Sequence, residues 1–228
     1  MARDFQSRLV KRAAKSHVFL PDDLTVLLGE YFELLSRWNR KINLTALDDP
    51  DEAIDRLLLE PMVASRYVPP DARRLMDVGS GGGSPAIPLK LAVPQVAMTM
   101  VEVKARKAAF LREAVRVLGL DDTIVETARY EELLTRPELH ERFDLLTVRA
   151  LRVESRVLNT LQAFLRTTGS LWLFRGPSGA EAPEVMPPLE FQATYPLIES
   201  LQSRLTTLSK RPVGFAPHNV PRGTVPTG

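Results

Sequence analysis

Asp77-Val78-Gly79-Ser80-Gly81-Gly82-Gly83 sets four glycines among five consecutive residues, directly after the apolar pair Leu75-Met76. So much backbone without a Cβ suits neither a helix interior nor a strand interior. At the end of an apolar run it is a strand-to-helix turn that a ligand can approach closely, with some positions at positive φ. Pro85 is acceptable in the first turn of the helix that follows, and Pro88 lies near the same permissive zone. Around this turn, short apolar runs alternate with amphipathic stretches. The pattern predicts strands at Arg74–Val78, Ala97–Val101, Thr123–Thr127, Leu145–Val148 and Ser170–Phe174. It predicts helices near Pro85–Leu91, Lys104–Leu118, Tyr130–Leu134 and Ser155–Leu165. Strands separated by crossover helices make a mostly parallel sheet, so the expected class is α/β and Rossmann-like. Phe191–Pro196 and Arg204–Leu208 are expected to close the sheet as an antiparallel pair, after the polar, proline-rich Pro177–Pro188.

Ahead of the sheet, Leu24, Leu27, Leu28, Tyr31, Phe32, Leu34, Leu35 and Trp38 recur at helical spacing, which predicts a helix over Pro21–Asn39. A second helix is expected from Asp51 to about Tyr67. These form a small helical extension over residues 21–70, followed by the main domain over 71–212. Residues 213–228, rich in Pro, Gly and Thr, are expected to be a disordered tail. The first sixteen residues set Arg3, Arg8, Lys11, Arg12 and Lys15 against Asp4 alone. Residues 1–20 are therefore read as a basic leader, solvated and partly frayed. A contact arm for an RNA backbone and a transit peptide are the alternatives.

The 228 residues, 44% hydrophobic and 25% charged, are enough for one catalytic domain with a modest extension. No apolar run approaches the roughly 20 residues that span a bilayer, so no membrane partner is expected. A formal charge of +2 does not by itself announce a nucleic-acid binder, and the absence of cysteine excludes disulfides and thiolate chemistry. A cytoplasmic location fits. His17, His140 and His218 are isolated and no pair has metal-ligand spacing, so no metal is expected.

The glycine spacing separates two ligand classes. The dinucleotide fingerprint wants glycine three positions after its second one, where this chain has Ser84. A carboxylate two residues before the first glycine would repel a pyrophosphate, whereas it suits the cationic amino group of S-adenosylmethionine. Glu102, after the next strand, is placed to accept both ribose hydroxyls. Asp77, Gly79, Gly81, Gly83 and Glu102 are thus candidate cofactor residues. Arg129 and Glu131, with Tyr130 between them, follow the third strand where such folds frame an adenine; surface charge at a helix start is the other reading.

Four segments carry a family resemblance: Trp38-Asn39-Arg40-Lys41-Ile42-Asn43-Leu44-Thr45, Asp77 through Leu89 with its paired prolines, Arg106-Lys107-Ala108-Ala109-Phe110-Leu111, and Asp144-Leu145-Leu146-Thr147-Val148-Arg149-Ala150. In order and spacing they resemble the bacterial small-subunit ribosomal RNA guanine-N7 methyltransferases, also called the glucose-inhibited division protein B family. The resemblance covers roughly Tyr31 to Gly176. It implies a Rossmann-like S-adenosylmethionine-dependent methyltransferase whose partner is 16S ribosomal RNA or the 30S subunit. The chain is expected to act as a monomer, although the sequence leaves the oligomeric state open. Guanine N7 has an in-plane lone pair and no proton, so no general base is needed and catalysis rests on alignment and electrostatics. Arg149, ending the fourth strand, is the candidate catalytic residue and a cofactor neighbour; a structural salt bridge is its plainer reading. Asn43 and Thr45 are candidate substrate residues or turn formers. Arg56, Arg106, Lys107 and Arg175 are candidate RNA contacts, and Arg40 and Lys41 are either phosphate contacts or solvated surface.

The chain departs from the family pattern in several places, among them Val103 where serine is usual after the acid and Tyr130 where alanine usually follows the arginine. Where relatives carry Arg-His followed by Asp-Ser, it reads Arg56-Leu57-Leu58-Leu59-Glu60-Pro61, and Arg175-Gly176 replaces Lys-Gly. In the sequence these departures lie away from the glycine loop. They motivate an alternative in which a divergent or inactive paralogue binds RNA or ribosome without transferring methyl.

Overall fold

The computed structural model describes residues 2–46, 49–149, 154–178 and 183–212. The presumed tail from Val213 onward lies outside them. Among the described residues seven strands form one sheet in the order β3-β2-β1-β4-β5-β7-β6. The strands are β1 (Arg74–Val78), β2 (Ala97–Val101), β3 (Thr123–Glu126), β4 (Phe143–Arg149), β5 (Leu165–Arg175), β6 (Leu189–Pro196) and β7 (Arg204–Lys210). β1 to β5 pair in parallel, and β7 runs antiparallel between β5 and β6. This is the doubly wound arrangement expected from the alternating pattern, with the late strands as its antiparallel edge.

Side chains alternate across the sheet with period two. Leu75, Met98, Met100, Leu145, Trp172 and Phe174 enter one core, whereas Met76, Val101, Leu146, Leu171 and Leu173 enter the other. The first core is shared with α1 (Ala2–Lys15), α2 (Asp22–Ile42), α3 (Pro50–Ile54), α4 (Glu60–Ala64), α5 (Ala86–Ala92) and α6 (Ala105–Val117). Leu158, Leu161 and Leu133, from α7 (Tyr130–Leu133) and α8 (Ser155–Leu161), cover the second.

The basic amino-terminal segment differs from its reading as a solvated leader. Its residues Phe5, Leu9 and Ala13 fall four apart, on one helix face, and Leu9 and Ala13 are buried. Arg12 holds Asp55 from Nε at 2.6 Å and Asp51 from Nη1 at 2.7 Å. Asp55 raises the pKa of Arg12 further. Arg12, one of the cations that suggested an RNA arm, is therefore used to dock the helix, whereas Lys11 and Lys15 are exposed.

Two further elements differ from expectation. The helix read as Ser155–Leu165 ends at Leu161, because Leu165 already pairs with Phe143 as the first residue of β5. The stretch from Pro50 to Tyr67 is helical throughout but not uniform. Asp49 caps its start by accepting the N–H groups of Asp51 and Glu52, both at 2.8 Å, and Asp55–Leu59 is wound as π-helix between α3 and α4.

Candidate active site

The glycine turn follows β1, with Gly79 and Ser80 donating to Val101 O at 2.9 and 3.1 Å. Gly83 has φ of 88°, which strains any side chain, and a Cβ there would fall 2.5 Å from Ile87 Cδ1 and force that side chain to shift. The helical extension seals the outer side of this turn. Tyr31, fully buried, donates its hydroxyl to Gly82 O at 2.6 Å, and burial pushes its pKa well above the usual tyrosine range. Ser84 Oγ donates to Leu57 O at 2.8 Å. A Cβ at Gly82 would meet Leu35 Cδ1 at 3.2 Å and Leu44 O at 3.5 Å.

Asp77 is 1% exposed. Its cross-strand neighbour Thr147 donates to Oδ1 at 2.6 Å, while Oδ2 is buried with no hydrogen-bond partner. Burial pushes this carboxyl up; Thr147, Ser80 and Arg149 act in the opposite direction. Glu102 accepts Gly81 N–H on Oε2 and Lys104 N–H on Oε1, each at 2.8 Å. A carboxylate oxygen has a second lone pair, so both retain capacity for hydroxyl donors.

Asp77, Thr147 and Arg149 have one parity along their strands, as do Phe174 and Trp172 on β5. All therefore stand on the face covered by the extension. Arg149 Nη1 donates to Arg56 O at 2.7 Å. Its Nη2 lies 2.9 Å from Glu60 Oε2, an ionic contact without hydrogen-bond alignment, and its Cζ sits 4.8 Å from the Phe174 ring centroid. Burial lowers the pKa of this guanidinium, and Glu60 and then Asp77 offset that effect. Arg149 Nε, Asp77 Oδ2 and Glu60 Oε1 are all buried without a hydrogen-bond partner. Unsatisfied donors and acceptors gathered at the carboxyl edge of a parallel sheet mark a polar ligand site.

This arrangement corrects the view that the departures around Arg56 stand apart from the glycine loop. The π-helical turn touches the loop through Leu57 and Ser84, and touches Arg149 through Arg56 and Glu60. Sequence reading missed Tyr31, Glu60, Ser84 and Thr147. Thr147 is signalled only by its register opposite Asp77.

The other candidates are dispersed. Asn43 caps α2 in the left-handed conformation with φ of 50°, and Asn39 Oδ1 accepts the N–H groups of Leu44 and Thr45 at 2.6 and 2.8 Å. That motif therefore builds the turn packed on Gly82. Arg56 lies 3.5 Å from Glu52 and 3.9 Å from Glu60. Arg106 is exposed and Lys107 half-buried on α6; Arg129 and Glu131 are exposed and Tyr130 half-buried around the start of α7. Arg175 stands cross-strand from Arg204, and burial followed by that neighbouring charge lowers its pKa. Among the described residues no group of three or more His, Asp or Glu could hold a metal, and no helix is long and apolar enough to cross a membrane.

A parallel sheet with a carboxylate ending β1, a glycine turn, a second carboxylate after β2 and a buried cation ending β4 defines a Rossmann-like methyltransferase. The chain superposes on a putative methyltransferase yhhF from Escherichia coli with a TM-score of 0.56 at 12% identity, over 67% of this chain and 86% of that one. It superposes on a SAM-dependent methyltransferase from Aquifex aeolicus with a TM-score of 0.54 at 14% identity, over 73% and 95% of the two chains. Within that class, residues 25–187 match the family described as rRNA small subunit methyltransferase G. The "Ribosomal RNA small subunit methyltransferase G" of Xylella fastidiosa strain 9a5c is 39% identical over 176 residues, 75% of this chain and 79% of that protein. The chain belongs to the rRNA small subunit methyltransferase G family.

Proposed function

We propose that this enzyme transfers a methyl group from S-adenosylmethionine to N7 of a guanine in 16S ribosomal RNA, acting as a cytoplasmic monomer on the RNA or the 30S subunit. The observation that carries the reading is Asp77. Its buried carboxylate has one oxygen held by Thr147 and the other without a partner, an environment that a small cation with N–H donors completes. The α-ammonium of the cofactor is such a group. Glu102 accepts the ribose hydroxyls, Gly79, Gly81 and Gly83 allow close backbone approach, and Arg129, Tyr130 and Glu131 border the adenine.

When bound, the cofactor supplies an electrophilic methyl group on a cationic sulfur. The guanine needs no deprotonation, so the residues supply position and field. Arg149, clamped on two sides, directs its remaining N–H edge toward the base, where O6 is an acceptor beside N7. Its removal from bulk water strengthens that interaction. Asn43, Thr45, Arg56, Arg106, Lys107 and Arg175 contribute to holding the RNA, with the exposed cations on phosphates.

The test is methyl transfer to 30S-derived RNA from a strain lacking the gene, followed by mapping of N7-methylguanosine. Incorporation at one guanine is expected. Folded, cofactor-bound protein that incorporates no methyl would overturn the reading.

A further inference from the structure

The π-helical turn beside Arg149 explains how that arginine is fixed. In an α-helix the carbonyl of Arg56 would accept the N–H four residues on, at Glu60. Here the Glu60 N–H reaches Asp55 O instead, five residues back. The next N–H in π-helical spacing from Arg56 would belong to residue 61, which is proline and has none. Neither backbone donor serves Arg56 O. A helix carbonyl left without a donor away from water is costly, and Arg149 Nη1 meets the demand of this partly buried one at 2.7 Å. On the same turn Glu60, 2% exposed, brings Oε2 to 2.9 Å from Nη2.

We infer that Glu60 and Pro61 are positioning residues for the methyl-transfer step: Pro61 withholds an N–H and so leaves Arg56 O to anchor one arm of the Arg149 guanidinium, while Glu60 anchors the other. Phe174 supports the guanidinium at 4.8 Å, and Nε remains for a ligand. The inference rests on the proposed role of Arg149. It also gives the Glu-Pro pair at positions 60 and 61 a purpose in place of a loss. A carboxylate and a freed carbonyl, set one helical turn apart from a buried arginine, restrict its rotation more than either acceptor alone.

Glu60→Gln, Glu60→Asp and Pro61→Ala test this, each alone and in an Arg149→Ala background. Four quantities are measured: thermal midpoint, calorimetric affinity for S-adenosylmethionine, kcat for RNA methylation, and rotation of the Arg149 guanidinium by side-chain nitrogen NMR. Glu60→Gln should keep cofactor affinity and lower kcat by about 100-fold, the scale of a misplaced reacting group. Glu60→Asp should recover part of that loss. Pro61→Ala should lower kcat by about tenfold while the thermal midpoint stays level or rises, because alanine restores an N–H and suits a helix. A purely structural role would move stability and rate together. Glu60→Gln and Pro61→Ala should each free guanidinium rotation, and neither should lower the rate further once Arg149 is alanine.

Wild-type kcat in Glu60→Gln and Pro61→Ala, losses that add in the Arg149→Ala background, or unchanged guanidinium rotation would overturn the inference. If wild-type protein methylates no RNA, the functional reading fails by itself, and the rotation measurement still decides whether the clamp exists.

Discussion

The amino and carboxyl edges of the sheet treat buried charge differently. At the amino edge Lys210, 6% exposed, donates to Glu141 Oε1 at 2.8 Å, Leu165 O at 2.9 Å and Gln162 O at 3.1 Å. Asp144 accepts the N–H groups of Arg73 and Arg74 at 2.7 and 2.8 Å, with Arg166 Nε 2.7 Å from its other oxygen. At the carboxyl edge Asp77 and Glu60 are as enclosed and Arg149 is partly so, yet each keeps a buried atom without a hydrogen bond. The first edge spends its polar groups on holding strands and loops together, with Arg166, a half-exposed side chain, meeting Asp144 from Nε by charge without hydrogen-bond alignment. The second holds some in reserve, as a site that completes itself with a ligand does.

The comparison breaks most plainly at Arg149. Arg149→Ala should retain cofactor binding and lower kcat by about 100- to 1,000-fold, the scale of losing one preorganised donor; a normal transfer rate would remove it from the mechanism. Asp77→Ala should weaken S-adenosylmethionine by at least about 30-fold in calorimetry, since stranding a charged partner costs about 2–5 kcal/mol. Lys210→Met should do the reverse, destabilising the fold by about 1–3 kcal/mol in urea titration through the carbonyls it abandons, with cofactor affinity unchanged. Loss of cofactor binding in Lys210→Met would erase the distinction between the edges.

Acidity sharpens the contrast. Burial raises the folded-state pKa of Asp77 above its unfolded value, so its contribution to stability is present below the unfolded-state pKa and is lost as pH rises through the folded one. Asp77→Asn should therefore raise the thermal midpoint of the cofactor-free protein near neutral pH. In wild-type protein, cofactor affinity should begin to fall on acidification at a pH above the ordinary carboxylate range, and that dependence should vanish in Asp77→Asn. The smallest effect belongs to the exposed cations: Arg106→Ala should reduce the salt slope of RNA binding by about 1 with little change in kcat.

Much of the fold was legible because its signals are local. Apolar runs at β1 and β2 marked strands that form over the residues read for them, and the glycine turn declared itself through missing side chains. The site was legible in part. Asp77 and Glu102 follow from chemistry near a strand end, but Thr147 depends on pairing between strands, and Tyr31 reaches Gly82 across 51 positions. The end of α8 was misplaced because Phe164 and Leu165 continue a helical apolar pattern while their partner, Phe143, is far away in sequence. The amino-terminal helix was misread because charge was counted without its acceptors, Asp51 and Asp55.

The sequence by itself determined the alternation of strands and helices, the family, the glycine turn and the two acids that flank it, because each depends on residues close together in the chain or on motifs kept in order. The tertiary structure decided that the departures at Glu60 and Pro61 stand beside Arg149 instead of apart from it. That contact spans 93 positions between Arg56 and Arg149. It arises because strand parity turns Arg149 toward the extension and because a π-helical turn leaves one carbonyl without a backbone donor, a vacancy that no local pattern records.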